Sequence, residues 1–130
     1  MQRLALVHSP LSVPRSSKKK FILNLNNYRN THYLVLNKVK INYKAIIYEQ
    51  VMALPVFNKI AMLYTVYPKT KRLTDIANVC SVHDKFFADA LVELGKIPDD
   101  NYLFLPEVGY RFGKVDPTNP RVDIEIFTVK

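Results

Sequence analysis

The segment from Thr74 to Gly95 constrains the fold more than any other. Ile76, Val79, Cys80, His83, Phe86, Phe87, Ala90, Leu91 and Leu94 recur at helical intervals, so a helix over residues 75–94 carries one apolar face that needs burial. Gly95 stands where a helix ends, because glycine adopts the left-handed backbone of a helix stop without a Cβ clash.

The remaining sequence supplies partners for that face. Residues 3–8 (RLALVH) read as an opening strand. Ser9-Pro10 and Ser12-Val13-Pro14 then break regular structure and lead into residues 15–20 (RSSKKK), which read as an exposed basic loop. Residues 21–25 form a short extended stretch, and Asn24, Asn26, Asn27 and Asn30 around Tyr28-Arg29 suggest a polar, turn-rich segment. Between residues 36 and 54, Val39, Tyr43, Ile46, Ile47, Val51 and Leu54 fall at helical spacing, with Lys38, Lys40 and Lys44 on other faces and Pro55 as the stop. Residues 59–67 read as a strand ending at Pro68, followed by a second basic loop, residues 69–72 (KTKR). Residues 101–112 and 121–129 read as two more strands, joined through Pro117 and Pro120. A chain of 130 residues suffices for one core and is short for two. The expectation is a single α+β domain over residues 1–130, with a mixed or antiparallel sheet and two principal helices.

Charge narrows the function. Residues 1–74 hold 13 Lys or Arg against one acid, Glu49, whereas residues 75–130 hold 6 against 10 acids. Segregation of a formal +8 in this way favours a cationic surface for a polyanion beside a separate carboxylate cluster. A bland basic protein is the alternative. The single cysteine, Cys80, excludes an internal disulfide and a multi-cysteine zinc site. With three glycines, none in a phosphate-cradling spacing, no nucleotide cofactor is expected. No apolar run reaches the length of a membrane span and the stretch before Ser9 lacks a secretion signal, so a cytoplasmic setting without membrane partners is expected.

On a helical wheel Asp75, Asn78, Lys85, Asp89 and Glu93 gather on one stripe opposite the apolar face, and Asp99-Asp100 return two acids just after the helix. Polar residues opposite a core are ordinarily just solvated. Mg²⁺, or Mn²⁺ in its place, takes carboxylate oxygens and keeps waters for a substrate phosphate, which such a grouping could supply. The segment Lys85-Phe-Phe-Ala-Asp89-Ala-Leu91, Gly95 and Asp99-Asp100 resembles the K-x-x-x-D-A-L and D-D motifs of the RusA family of Holliday-junction resolvases, bacterial and phage nucleases of branched DNA. Thr74-Asp75-Ile-Ala-Asn78 is similar to that family's D-x-D-N box, and Asn26-Asn-Tyr28-Arg29 to an N-terminal segment of it. The match is specific over about residues 72–101 and loose elsewhere.

The resemblance implies a homodimeric, Mg²⁺-dependent endonuclease acting on branched DNA. Asp75 and Asp100 would bind the metal, with Asp99 close by, and Lys85 would stabilise charge developing on the phosphate. Lys85 could instead be a surface lysine paired with Asp89. Two departures stand out. Ala77 occupies the place of the family's second acid, and the interval from Asn78 to Lys85 is four residues longer than the family's, about one helical turn. Asp84 or Asp89 could replace the missing carboxylate. Asp89 is favoured because it lies on the stripe, whereas Asp84 points away from it and could face a partner subunit. Arg15, Lys18, Lys19, Lys20, Arg29, Lys69, Lys71 and Arg72, with Lys38, Lys40 and Lys44, are the candidates for phosphate contacts. Tyr28 or Tyr33 could stack on an unpaired base, although burial is the simpler reading of either. His83 and Cys80 read as core residues. The rival reading is a noncatalytic descendant of the fold that binds DNA or a host repair protein, and Ala77 is the feature that favours it.

Overall fold

The computed structural model describes residues 1–16 and 18–129. In chain order the elements are β1 (Arg3–Ser9), β2 (Ser12–Ser16), β3 (Lys19–Ile22), α1 (Leu25–Asn30), α2 (Tyr33–Met52), β4 (Ile60–Tyr67), α3 (Ile76–Glu93), β5 (Glu107–Phe112) and β6 (Arg121–Thr128). The class is α+β, with a mixed four-stranded sheet of order β1-β6-β4-β5 and a separate β2-β3 hairpin. β4 is central: it runs antiparallel to β6 and parallel to β5, and α3 makes the crossover between the parallel pair. Among the described residues no helix is long and apolar enough to cross a membrane.

Alternation along the strands decides which face is covered. Val7, Met62, Tyr64, Val66, Val122, Ile124 and Ile126 point to one side and are buried. Against them pack Val39, Tyr43, Ile47 and Val51 of α2 and Cys80, Phe86, Phe87 and Leu91 of α3, in one continuous core. The opposite face, with Leu4, Leu6 and His8 of β1 and Arg111 of β5, carries no helix.

α3 forms where its pattern demands. Asp75 caps its first turn by accepting from Ala77 N at 3.0 Å, and Gly95 takes φ 75° just past its end. Four expectations need correction. Arg15–Lys20 is not a loop: apart from Ser17, which lies outside the described residues, its ends belong to the β2-β3 hairpin, because Val13 and Phe21 pair across it and both are buried. Pro14 fits there since each strand of a two-stranded sheet has an edge needing no N–H donor. The asparagine-rich stretch is a helix, α1, because Asn24 accepts from Asn27 N at 2.8 Å and so caps a helix rather than making a turn. α2 starts earlier than residue 36, capped by His32, and ends before Leu54. It buries only the four-residue repeat Val39, Tyr43, Ile47, Val51, leaving Ile46 exposed. Strand structure begins at Glu107 rather than residue 101, because Asn101 O accepts from both Phe104 N and Leu105 N in a turn.

Candidate functional site

Three consecutive residues of α3 point in three directions, and these directions organise the site. His83 turns into the core beneath β1, Asp84 toward β4 and β5, and Lys85 toward α1.

Asp84 is half-buried and held at both oxygens. Tyr64 OH donates to Oδ1 at 3.0 Å and Tyr110 OH donates to Oδ2 at 3.2 Å, the two rings meeting edge to face with centroids 5.9 Å apart. Burial raises the Asp84 carboxyl above its ordinary range; the two phenol hydrogen bonds and Lys85 oppose the shift, and the negative charge of nearby Asp100 adds to it. The same corner pushes Tyr110 up to about 12, through burial and then the Asp84 charge. The Cys80 thiol rises to about 12 for the same two reasons, which keeps this core cysteine protonated and unreactive.

The predicted acids do not all gather here. Asp100 lies close enough to be felt at Asp84. Asp99 is exposed and caps its own turn, accepting from Asp100 N at 2.8 Å and from Asn101 Nδ2 at 3.1 Å. Asp75 caps the far end of α3, nine residues from Asp84 and so about 13 Å along the axis. Asp89 is half-buried, and among the described residues no hydrogen bond or ion pair holds its side chain. Among the described residues no three His, Cys, Asp or Glu side chains form a ready metal cage.

On the polar stripe of α3, Asp75, Lys85 and Glu93 are exposed and Asn78 and Asp89 half-buried, and two of the five tie α3 to its neighbours. Asn78 Oδ1 accepts from Leu25 N at 3.1 Å, joining α3 to α1, and Glu93 pairs with Lys44 of α2. Lys85 does not form the surface pair with Asp89. Its Nζ lies 5.7 Å from the centroid of the Tyr28 ring, and Lys40 Nζ lies 5.9 Å from the same ring. Tyr28 itself is half-buried against Phe86, with centroids 6.1 Å apart. Tyr33 is 65% exposed and stacks on His32.

Much of the predicted cationic surface converges on this side. Arg15 and Lys19 of the hairpin and Lys38 of α2 line one groove with Leu34 and Val35. Lys18, Lys20 and Arg29 are exposed. Lys69, Lys71 and Arg72 are exposed on the segment after β4, where Arg72 borders a second cleft with Asn24, Thr74, Asp75 and Asn78.

Two polar networks escaped the sequence reading. Ser9 Oγ lies 2.6 Å from Tyr43 OH and 2.7 Å from His83 Nδ1, all three buried. At one end of the sheet His8 Nδ1 lies 2.6 Å from Asp123 Oδ1. Arg121 donates from Nε to Asp123 and from Nη1 to Asp116, both at 2.9 Å. Strand parity carried a signal for Tyr64 and Tyr110, which alternate onto the helix-covered face, but nothing local tied them to Asp84. No protein-family model matches this chain, and no curated protein matches it.

Proposed function

We propose that the chain binds branched DNA through the face built by the β2-β3 hairpin, α1 and the first half of α2, and cleaves it as a RusA-like, Mg²⁺-dependent endonuclease. The observation that carries this reading is the adjacency of Asp84 and Lys85. One residue presents a tyrosine-held carboxylate within reach of the charge of Asp100; the next turns its ammonium toward Tyr28, whose ring Lys40 also approaches. A DNA backbone lying along Arg15, Lys19, Lys38, Lys40 and Lys85 would run toward that carboxylate corner.

A divalent cation fits these residues. Each Asp84 oxygen accepts one phenol hydrogen and retains a further lone pair, and metal-binding carboxylates are commonly oriented by such second bonds. Mg²⁺ needs only one or two carboxylates besides water and phosphate. Asp84 and Asp100 would hold it, with Asp99 adjacent and Asp75 and Asp89 outside the pair. When bound it supplies Lewis-acid polarisation of the phosphate ester. Lys85 would meet charge accumulating on the phosphate, and the cationic groove would fix the backbone by contacts that ignore sequence. In this reading the protein works as a homodimer in a cytoplasmic setting.

The noncatalytic reading draws support from Asp75, which caps a helix far from Asp84, and from Ala77 in the place of an acid. Incubating the chain with a synthetic four-way junction, with Mg²⁺ and with the metal chelated, separates the two. The nuclease reading expects paired nicks only with metal; the noncatalytic reading expects salt-sensitive binding and no nicks.

A further inference from the structure

The two edges of the main sheet are finished differently. On β1, the outward groups of His8 are occupied: its N–H donates to Gln50 Oε1 at 2.8 Å and its C=O accepts from Gln50 Nε2 at 2.9 Å. β5 forms the other edge. Gly113 N–H donates to Val66 O at 2.9 Å, and Phe112 lies opposite Val66, so odd-numbered residues of β5 direct their backbone groups at β4. Val108, Tyr110 and Phe112 direct theirs outward. Among the described residues none of those outward groups has a hydrogen-bond partner. Their side chains are 40%, 37% and 51% exposed. An open edge with apolar side chains is a template for another strand.

We infer that β5 pairs antiparallel with β5 of a second copy of this chain, about a two-fold axis at Gly109. The sequence Glu107-Val-Gly-Tyr-Arg111 selects that register. Pairing about Gly109 sets Val108 opposite the partner's Tyr110 as a hydrogen-bonded pair, which uses the outward groups. It sets Glu107 opposite the partner's Arg111 as a non-hydrogen-bonded pair, where side chains approach most closely. Both Glu107–Arg111 contacts form, since the axis generates each from the other. Moving the axis to Glu107 or Arg111 would oppose like charges. Moving it to Tyr110 would keep the hydrogen bonds but leave Glu107 facing the partner's Gly113.

The side chains are free to make these pairs. Arg111 donates from Nε to Thr65 Oγ1 at 2.9 Å and from Nη2 to Glu125 at 3.1 Å, so Nη1 remains, and among the described residues Glu107 has no side-chain partner. The product is a continuous eight-stranded sheet with the helices of both copies on one side. Tyr110, which holds Asp84, then packs against the partner's Val108, so the two Asp84 corners flank one axis. This pairing shares with the proposed function only the expectation of a dimer: a chain that never cuts DNA would pair in the same way.

The test is the mass of the full chain in solution, by sedimentation or light scattering from about 1 to 100 µM, the range in which transient pairs are resolved. The native chain is expected to be a dimer. Val108→Pro removes an outward donor while leaving the ladder to β4 intact, and Glu107→Arg places like charges across the axis. Each should weaken the dimer at least about tenfold, with an unchanged circular dichroism spectrum. Gly109→Cys should form a disulfide dimer on oxidation, because Cα atoms of non-hydrogen-bonded pairs stand about 4.5 Å apart. Cysteine there approaches Leu63 Cδ1 at 3.3 Å, the end of a flexible side chain. Val108→Cys should not cross-link, since its two copies would sit diagonally, about 7–8 Å apart. If Val108→Pro does not fold, Glu107→Arg and the Gly109→Cys cross-link decide. A native chain that stays monomeric overturns the inference, as does a dimer indifferent to Glu107→Arg that gives no disulfide at Gly109→Cys.

Discussion

His83 and Asp84 are neighbours on one helix, each bonded to a polar partner near a buried tyrosine, and they do opposite things. His83 reaches Ser9, which also meets Tyr43, all three closed off from the surface, and burial drives its pKa down to about 3. It stays neutral and serves the fold. Asp84 meets Tyr64 and Tyr110 at the margin of the sheet, where one partner belongs to an open edge strand and Asp100 lies nearby. Burial raises its pKa, yet the carboxylate stays only half-buried. The contrast teaches that a polar group inside a small domain is locked or usable according to which strand it meets. The helix alone does not decide it.

Several replacements sharpen or break that contrast. The largest effect is expected from His83→Ala, which opens a cavity and takes from the buried Ser9 hydroxyl one of its two partners. A loss of about 3–5 kcal/mol in urea unfolding is expected. Asp84→Asn should cost under about 1 kcal/mol, because an amide oxygen still accepts one phenol hydrogen. Equal losses at the two positions would erase the distinction.

Acid comes next. His83 has a folded pKa below its unfolded value, so the unfolded chain binds more protons between about pH 6.5 and 3, and stability falls as pH drops through that window. Between pH 6.5 and 4 the loss is about 3 kcal/mol. Asp84, raised in the fold, has the opposite sign: its burden grows as pH rises above its unfolded value. Urea titrations at several pH values should show the acid loss in the native chain and lose most of it in His83→Gln. A native profile flat over that range would mean that His83 is hydrated.

On the cationic side, Lys19→Ala and Lys38→Ala should each lower the log–log slope of junction binding against salt by about 0.9. Lys59→Ala, outside the groove, serves as the comparison and should leave the slope alone. The smallest effects belong to the tyrosines. Tyr43→Phe should cost about 1–2 kcal/mol and Tyr64→Phe about 1 or less, because only the first takes a partner from a fully buried hydroxyl, that of Ser9, whereas Asp84 at the half-buried corner keeps Tyr110.

α3 was legible because eight apolar residues and His83 on one face admit few alternatives. The hairpin was not, since its commitment to structure rests on Val13 and Phe21 amid lysines and serines that read as a solvated loop. The direction of Asp84 could be read from a helical wheel. What it meets could not: Tyr64 and Tyr110 are 20 and 26 residues away and reach it only through the β4-β5 register. The same distance effect hid the Ser9–Tyr43–His83 cluster and joined His8 to Asp123 across 115 residues. The stripe favours Asp89 over Asp84 by direction alone, and direction says nothing of the two phenols that hold Asp84 off the stripe.

The most direct measurement of the central claim is the nicking rate on a four-way junction with Mg²⁺, compared among the native chain, Asp84→Asn and Asp89→Asn. Metal-dependent paired nicks are expected from the native chain. Asp84→Asn should lose on the order of 10²-fold or more with junction affinity retained, and Asp89→Asn should cut at a near-native rate. Native-rate cutting by Asp84→Asn, or a native chain that binds the junction and never nicks it, would contradict the account.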